Sequence, residues 1–337
     1  GSLVLQVIAG EIDFQSRHLD APKNTPVFYE NQDAGGYEFF TLANSSSNAM
    51  GIYFNLNHKD PEMRELFNTK EFRVAMSLGI DRDELIDLVW LGQGEPWQIG
   101  AKPGHPLYDE RLSRQFTEYD PERANELLDQ IGLEERDDEG YRLMDNGERV
   151  SFAVDVIPTL YVEWVDAMEL IVDYWADLGI EVTSNPMERT IFYERGDSNE
   201  FDVQIWNAPG GLDPYLSPRN VMAVHPQGSR FALEWARWYT SGGRQGEEPN
   251  ESMMKRLRPL RRIQGHGRPG APARALRGDP RRGGRRLRGD RHRHRPGPDR
   301  HQVQAPAQRA REHAARLDVS EPRPDAAAAV LLRRVIG

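Results

Sequence analysis

The 337-residue chain contains no cysteine, which removes disulfide scaffolds, thiolate zinc sites and cysteine nucleophiles. It has no apolar run near the roughly 18 residues that a membrane-spanning helix needs, and no basic segment followed by an apolar one at its start, so neither a spanning helix nor a signal peptide is read. Aromatic residues are missing from a long stretch. All 7 Trp, 11 Tyr and 12 Phe lie at or before Tyr239, although the chain-wide 9% would place about nine more in the remainder. From Arg256 onward Lys, Phe, Tyr, Trp and Asn are all absent, while 22 Arg are present. The formal net charge of −10 therefore joins two unlike parts: residues 1–250 hold 20 Lys+Arg against 45 Asp+Glu, and residues 251–337 hold 23 against 8.

Residues 11–255 read as alternating strands and helices. The opening Leu3-Val4-Leu5-Gln6-Val7-Ile8-Ala9-Gly10 looks like the last turns of an apolar helix stopped by Gly10, so residues are expected to precede it. Residues 20–31 form a weak helix or loop containing Pro22 and Pro26, and 37–42 and 50–57 read as strands around the polar turn at 44–47. A short helix starts at Phe72. Asp81-Arg82-Asp83-Glu84 is an acidic capping box opening the next, and 92–107, with four Gly and three Pro, is a loop. Asp120-Pro121-Glu122 starts a further helix. Residues 141–144 and 150–156 flank Asp145-Asn146-Gly147 as a hairpin, and 161–178 is the longest helix, with Trp164, Met168, Ile171 and Trp175 on one face. A strand at 180–183, a helix at 189–195 and a strand at 201–206 complete an α/β pattern.

The run Phe67-Asn68-Thr69-Lys70-Glu71-Phe72-Arg73-Val74-Ala75-Met76-Ser77-Leu78-Gly79-Ile80-Asp81-Arg82 resembles the signature of the family 5 solute-binding proteins of ABC importers. Gly10-Glu11-Ile12-Asp13, Tyr53-Phe54-Asn55-Leu56-Asn57, the helix at 120–132 and Phe201-Asp202-Val203-Gln204-Ile205-Trp206 resemble further segments of that family, in the same order, over about residues 5–255. The resemblance implies a periplasmic-binding-protein type II-like fold of two lobes that closes on a solute and delivers it to a membrane permease. It implies an incomplete fold here: 1–58 as the remnant of the first lobe with the hinge strand, 59–255 as the second α/β lobe, and 256–337 as a disordered Arg-rich tail. It also implies an extracytoplasmic location, periplasmic or at the cell surface, with the signal segment missing, no cofactor, no nucleic acid and a monomer.

Binding candidates follow. Trp206 ends a strand and precedes Asn207-Ala208-Pro209-Gly210-Gly211-Leu212-Asp213, which puts an aromatic face and backbone amides at the carboxyl end of a sheet, where α/β domains bind ligands. The same Trp read from spacing alone is as well a core residue. Many peptide-binding relatives carry Asp three residues after this Trp. Here that place is Pro209, which cannot neutralise an ammonium, and Asp213 is the nearest carboxylate, so a less charged ligand such as an oligosaccharide gains ground over a peptide. Trp97, in the loop that resembles the family's interlobe contact, is either a ligand contact or an inward anchor. Asn55 and Asn57 share one side of a strand and bond either ligand or hinge backbone. Trp235 belongs to an aromatic group with Trp238 and Tyr239, a sugar platform or a piece of core.

No enzyme is read. Glu134 to Glu139 form a solvated acidic loop. Gly265-His266-Gly267-Arg268-Pro269-Gly270 satisfies G-x-G-x-x-G literally but follows no strand and opens no helix. His292, His294 and His301 lie among arginines, which repel a cation. The tail has two readings. Taken as written, Arg256 to Arg334 is a basic arm for nucleic acid, the alternative function. Alternatively it is an out-of-frame text: Arg and Gly codons carry a central G, so a one-base shift turns them into ordinary residues, Arg258-Pro259-Leu260-Arg261 into Asp-Leu-Tyr-Asp for example. On that reading 256–337 holds no packed core.

Overall fold

The computed structural model describes residues 2–15, 19, 21–42, 45–161, 163–212, 214, 217–263 and 329–334. The chain starts with α1 (Ser2–Ile8), which stops at Gly10, where φ is 68°. There follow β1 (Phe14–Gln15), α2 (Ala21–Glu30), α3 (Gln32–Gly35) and β2 (Tyr37–Leu42). Of the stretch read at 20–31, residues 21–30 thus form a helix despite Pro26 lying inside it. Val7, Leu19, Phe28 and Tyr37 form a small core, and the Tyr37 hydroxyl donates to the Phe28 carbonyl at 2.6 Å.

The larger part runs β3 (Ser46–Phe54), α4 (Pro61–Asn68), α5 (Lys70–Leu78), α6 (Arg82–Trp90), α7 (Glu110–Arg114), α8 (Pro121–Gln130), β4 (Ser151–Val156), α9 (Glu163–Asp177), β5 (Glu181–Pro186), α10 (Arg189–Ser198), β6 (Val203–Pro209), α11 (Leu233–Ser241) and α12 (Glu251–Ile263). Local chemistry sets the helix starts. Asp60 accepts from the Glu62 and Met63 amides with Pro61 next to it, Asp81 accepts from the Glu84 amide at 3.0 Å, and Asp120 accepts from the Arg123 amide with Pro121 as the first helical residue.

These strands form a mixed sheet in the order β3-β6-β4-β5, with β4 parallel to both β5 and β6 and β3 antiparallel to β6. Two expectations change. The strand read at 50–57 starts at Ser46, so Ser46 and Ser47 belong to β3 rather than to a turn, and β2 and β3 lie in different sheets. The hairpin around Asp145-Asn146-Gly147 shrinks to one antiparallel bridge, Leu143 with Arg149, because β4 uses its hydrogen bonds on parallel partners. β3, read as the hinge strand, is hydrogen-bonded into this sheet.

The main core fills one side of that sheet. Phe54, Phe67, Phe72, Phe152 and Trp175 meet at centroid separations of 5.2 to 6.4 Å, and α9 turns Trp164, Ala167, Met168, Ile171 and Trp175 inward at helical spacing. Burying one such side chain stabilises by about 1.5–3 kcal/mol. The Trp175 indole keeps its hydrogen bond by donating to the Met76 carbonyl at 2.9 Å.

Most of the tail at 256–337 lies outside the described residues, including Gly265 to Gly270 and the three histidines. Of its described residues, Leu257 and Leu260 are buried on α12, which continues to Ile263. β7 (Ala329–Arg334) lies antiparallel between β1 and β2. At Leu257 and Leu260 the absence of packing expected from Arg256 onward therefore does not hold.

Candidate functional site

The amino end of β3 holds two loops. On one side, the Gly210 and Gly211 amides donate to the Ser45 carbonyl at 3.1 and 2.8 Å. Gly211 lies so close to β3 that a Cβ there would sit 2.8 Å from the Ser46 carbonyl oxygen and 2.9 Å from Ser47 Cα. On the other side, Ser47 Oγ accepts from the Gly100 amide at 2.9 Å, and Asn48 Nδ2 donates to the Trp97 carbonyl at 2.7 Å. Lys102 closes the arrangement by donating its amide to the Gly211 carbonyl at 2.7 Å. Trp97, Asn207, Gly210 and Gly211, scattered in sequence, are thereby gathered around one strand end. Asp213 lies outside the described residues.

Trp206 faces a different set of groups. Its ring lies 5.9 Å from Phe192 at a near-parallel 29°, 5.9 Å from Tyr193 and 6.1 Å from Trp164. The Arg230 guanidinium sits 4.2 Å from the Trp206 centroid and within 5.4 Å of both Phe192 and Tyr193. It donates to Gln204 Oε1 at 3.1 Å and makes no ion pair with a described carboxylate. Burial pushes Arg230 down to about 10, so it remains a cation at neutral pH. Beside it, the Tyr53 hydroxyl donates to the Asn207 carbonyl at 3.4 Å, and burial pushes the phenol up. Trp206 is thus only partly exposed, packed among the rings of Trp164, Phe192 and Tyr193.

A cavity of about 420 Å³ opens beneath the 93–103 loop. Met50, Ile52, Met76 and Leu85 give it apolar walls, while Asn48, Ser77, Arg82 and Trp97 bring polar atoms. Trp97 is stacked on Tyr108, with centroids 6.0 Å apart and planes 4° from parallel, and the Arg114 guanidinium lies 5.1 Å from its ring, itself paired with Glu95 at 2.5 Å. Burial pushes Arg82 down to about 10. Its guanidinium donates to the Ser77 carbonyl at 2.7 Å and to Ser77 Oγ at 2.8 Å.

Three sequence candidates belong elsewhere. Asn55 is fully buried: its Nδ2 donates to Asn199 Oδ1 at 3.0 Å and to the Phe201 carbonyl at 2.8 Å, and its Oδ1 accepts from the Asn57 amide at 3.1 Å. Asn57 is equally buried and accepts from the Glu234 and Trp235 amides. Both asparagines are buried and bonded within the chain, Asn55 through both Nδ2 and Oδ1, so neither faces a ligand here. Trp235 is buried in a satellite core with Ala223, Ala232, Met253 and Leu257, so it is packing and not a platform. The reading of the sequence overlooked Asn48, Tyr193 and Arg230; for Arg230 no local pattern marks the residue, since its rings come from α10 and β6.

The family model of the bacterial extracellular solute-binding proteins, family 5 (middle region), matches residues 2–225. The di/tripeptide-binding protein 1 of Pseudomonas aeruginosa is 26% identical over 166 residues, 48% of this chain and 27% of that protein. The oligopeptide-binding protein AppA of Bacillus subtilis is 24% identical over 168 residues, 49% of this chain and 30% of its own length. Among solved structures, an oligopeptide-binding protein OppA superposes with a TM-score of 0.63 at 31% identity, covering 78% of this chain and 44% of that one. The periplasmic binding protein MelB of Agrobacterium fabrum, solved with stachyose, gives 0.55 at 19% identity over 67% of this chain and 35% of its own, a likeness of fold alone. The chain spans less than half the length of each of these proteins.

Proposed function

We propose, because this chain belongs to the bacterial extracellular solute-binding proteins of family 5, that it is the solute-binding component of an ABC importer, capturing a peptide- or oligosaccharide-like solute for delivery to a permease. The family match over residues 2–225 is the observation that carries the reading. Its place of work is then outside the cytoplasmic membrane, with the permease as partner. The site offers aromatic faces and a stacked guanidinium, groups suited to holding a solute.

At the proposed site, the ligand meets Trp206, Asn207, Gly210 and Gly211 at the strand end and Trp97 across β3; Asp213, two positions after Gly211 in the sequence, lies outside the described residues. The relatives named for di/tripeptides and oligopeptides support a peptide. Pro209 supports an uncharged solute, because it stands where many peptide binders hold the amino terminus with a carboxylate. A thermal-shift screen of the purified chain against peptides, neutral oligosaccharides and chelated nickel tests the function. Saturable stabilisation by one class supports it, and a chain that converts that ligand to a product, or responds to none, refutes it. Salt-sensitive binding of DNA with no solute response supports the alternative instead.

A further inference from the structure

We infer that the ring cluster of Tyr193 and Trp206, with Arg189 and Arg230 upon it, is a subsite for a carboxylate of the solute; this rests on the solute-binding reading and narrows it to solutes that carry one. Residues 1–250 hold 45 Asp+Glu against 20 Lys+Arg, so arginines without carboxylate partners are out of keeping with this part of the chain. Here two share one ring. The Arg189 and Arg230 guanidiniums each lie 5.4 Å from the Tyr193 centroid, which is 5.9 Å from that of Trp206. Neither makes an ion pair with a described carboxylate: Arg189 Nε and Nη2 donate to the Tyr193 hydroxyl at 3.3 and 3.0 Å, and Arg230 Nη1 donates to Gln204 Oε1 at 3.1 Å.

Donors remain over. A guanidinium carries five N–H groups, and the Tyr193 oxygen, which accepts from Arg189, keeps its own proton to give. Solvent reaches the cluster, since Arg189 is exposed and Tyr193 and Trp206 are half-buried. It stands at the amino end of α10, the positive end of the helix dipole, where the Glu188 side chain makes no cap. The charge of Arg219 also reaches Arg230 and the Tyr53 hydroxyl. Glu188, Glu194 and Asp197 are the carboxylates that α10 itself brings near; Asp197 accepts from Gln227 at 3.3 Å, and none of the three pairs with these arginines. Donors and cations with no acceptor among them select an anionic oxygen group. A carboxylate is planar and accepts from a guanidinium and a phenol together. An ammonium meets like charges, on an indole face that already carries a guanidinium. The loop after Trp206, Asn207 to Leu212, offers that ammonium no carboxylate either.

The test is isothermal titration of the full chain with two pairs of probes, trialanine against trialanine amide and digalacturonate against galactobiose, on the wild type, Arg189→Gln and Arg189→Lys. Arg189 is exposed, so both variants should melt near the wild type. At least one acid should bind, about tenfold or more tighter than its partner without that carboxylate. The peptide pair and the sugar pair distinguish the two sources of the group. Arg189→Gln should weaken the acid about fivefold and leave its partner unchanged, while Arg189→Lys, which keeps the charge, should recover most of the loss. An amide or neutral sugar that binds as tightly as its acid, or a preference for the acid that Arg189→Gln leaves intact, overturns the subsite and leaves the solute-binding reading standing. Binding of none of the four by the folded wild type also overturns the subsite, and the thermal-shift screen then decides the wider reading by itself.

Discussion

Replacing Asn55 by alanine tests whether this residue serves the fold or a ligand. The side chain is fully buried and takes part in three hydrogen bonds, two donated by Nδ2 at 3.0 and 2.8 Å and one accepted by Oδ1 at 3.1 Å. At about 1 kcal/mol net per bond, their loss costs about 3 kcal/mol. Two further effects act in opposite directions. The Phe201 carbonyl, Asn199 Oδ1 and the Asn57 amide are left buried without partners, which raises the cost, while a water entering the vacated volume restores part of it. The expected loss is therefore about 2–4 kcal/mol, a fall of about 1–2 M in the urea midpoint at a slope of about 2 kcal/mol/M. Unfolding followed by tryptophan fluorescence measures it directly. Asn55→Asp should be at least as damaging, because it places a negative charge against two acceptor oxygens. A loss below about 0.5 kcal/mol in Asn55→Ala, or an unchanged midpoint with weakened solute binding, would refute the structural role and return Asn55 to the ligand.

Three other outcomes follow. Burial opposes ionisation of Asp202, yet bonds from His58 at 2.9 Å and from the Ala153 amide at 2.8 Å hold its carboxyl below the ordinary range. A carboxyl lowered by folding contributes stability above its unfolded value of about 3.9 and loses it as pH falls through the folded value, so Asp202→Asn should flatten the acid decline in urea midpoints below about pH 4; an unaltered decline refutes this. Gly211→Ala should push the 210–211 loop off β3 at about 1–3 kcal/mol, since its Cβ would lie 2.8 Å from the Ser46 carbonyl oxygen, and an unchanged midpoint with unchanged solute affinity would contradict that packing. Resequencing the gene across Lys255 to Pro259 should reveal a one-base change with an open shifted frame beyond it; agreement of independent reads with the present frame, and stop codons in the other, rules it out.

Local signals were readable and distant ones were not. The starts of α6 and α8 follow from Asp81 and from Asp120-Pro121, because a cap is settled within four residues. Asp60-Pro61 carries the same signal for α4, a helix that the reading leaves unassigned. The hairpin assigned to residues 141–156 keeps only its turn end, where Leu143 pairs with Arg149, because β4 finds its partners 30 or more residues away, beyond the reach of turn chemistry. Asn55 illustrates the same limit. Strand alternation sets which side it shares with Asn57, but its role depends on Asn199, 144 positions along the chain. The resemblance points to Trp97, and the strand end at Trp206 points to the Gly210-Gly211 loop, whereas their common anchorage on Ser45, Ser47 and Asn48 is a tertiary fact.

The uneven burial of the indoles has an optical consequence. Of the 7 tryptophans, Trp164, Trp175 and Trp235 are shielded, and Trp90, Trp97, Trp206 and Trp238 reach solvent in part. A small neutral quencher such as acrylamide dims mainly the second group, and half of that group, Trp97 and Trp206, belongs to the proposed site. A solute held there would change the accessible fraction of the emission, a readout that needs no dye.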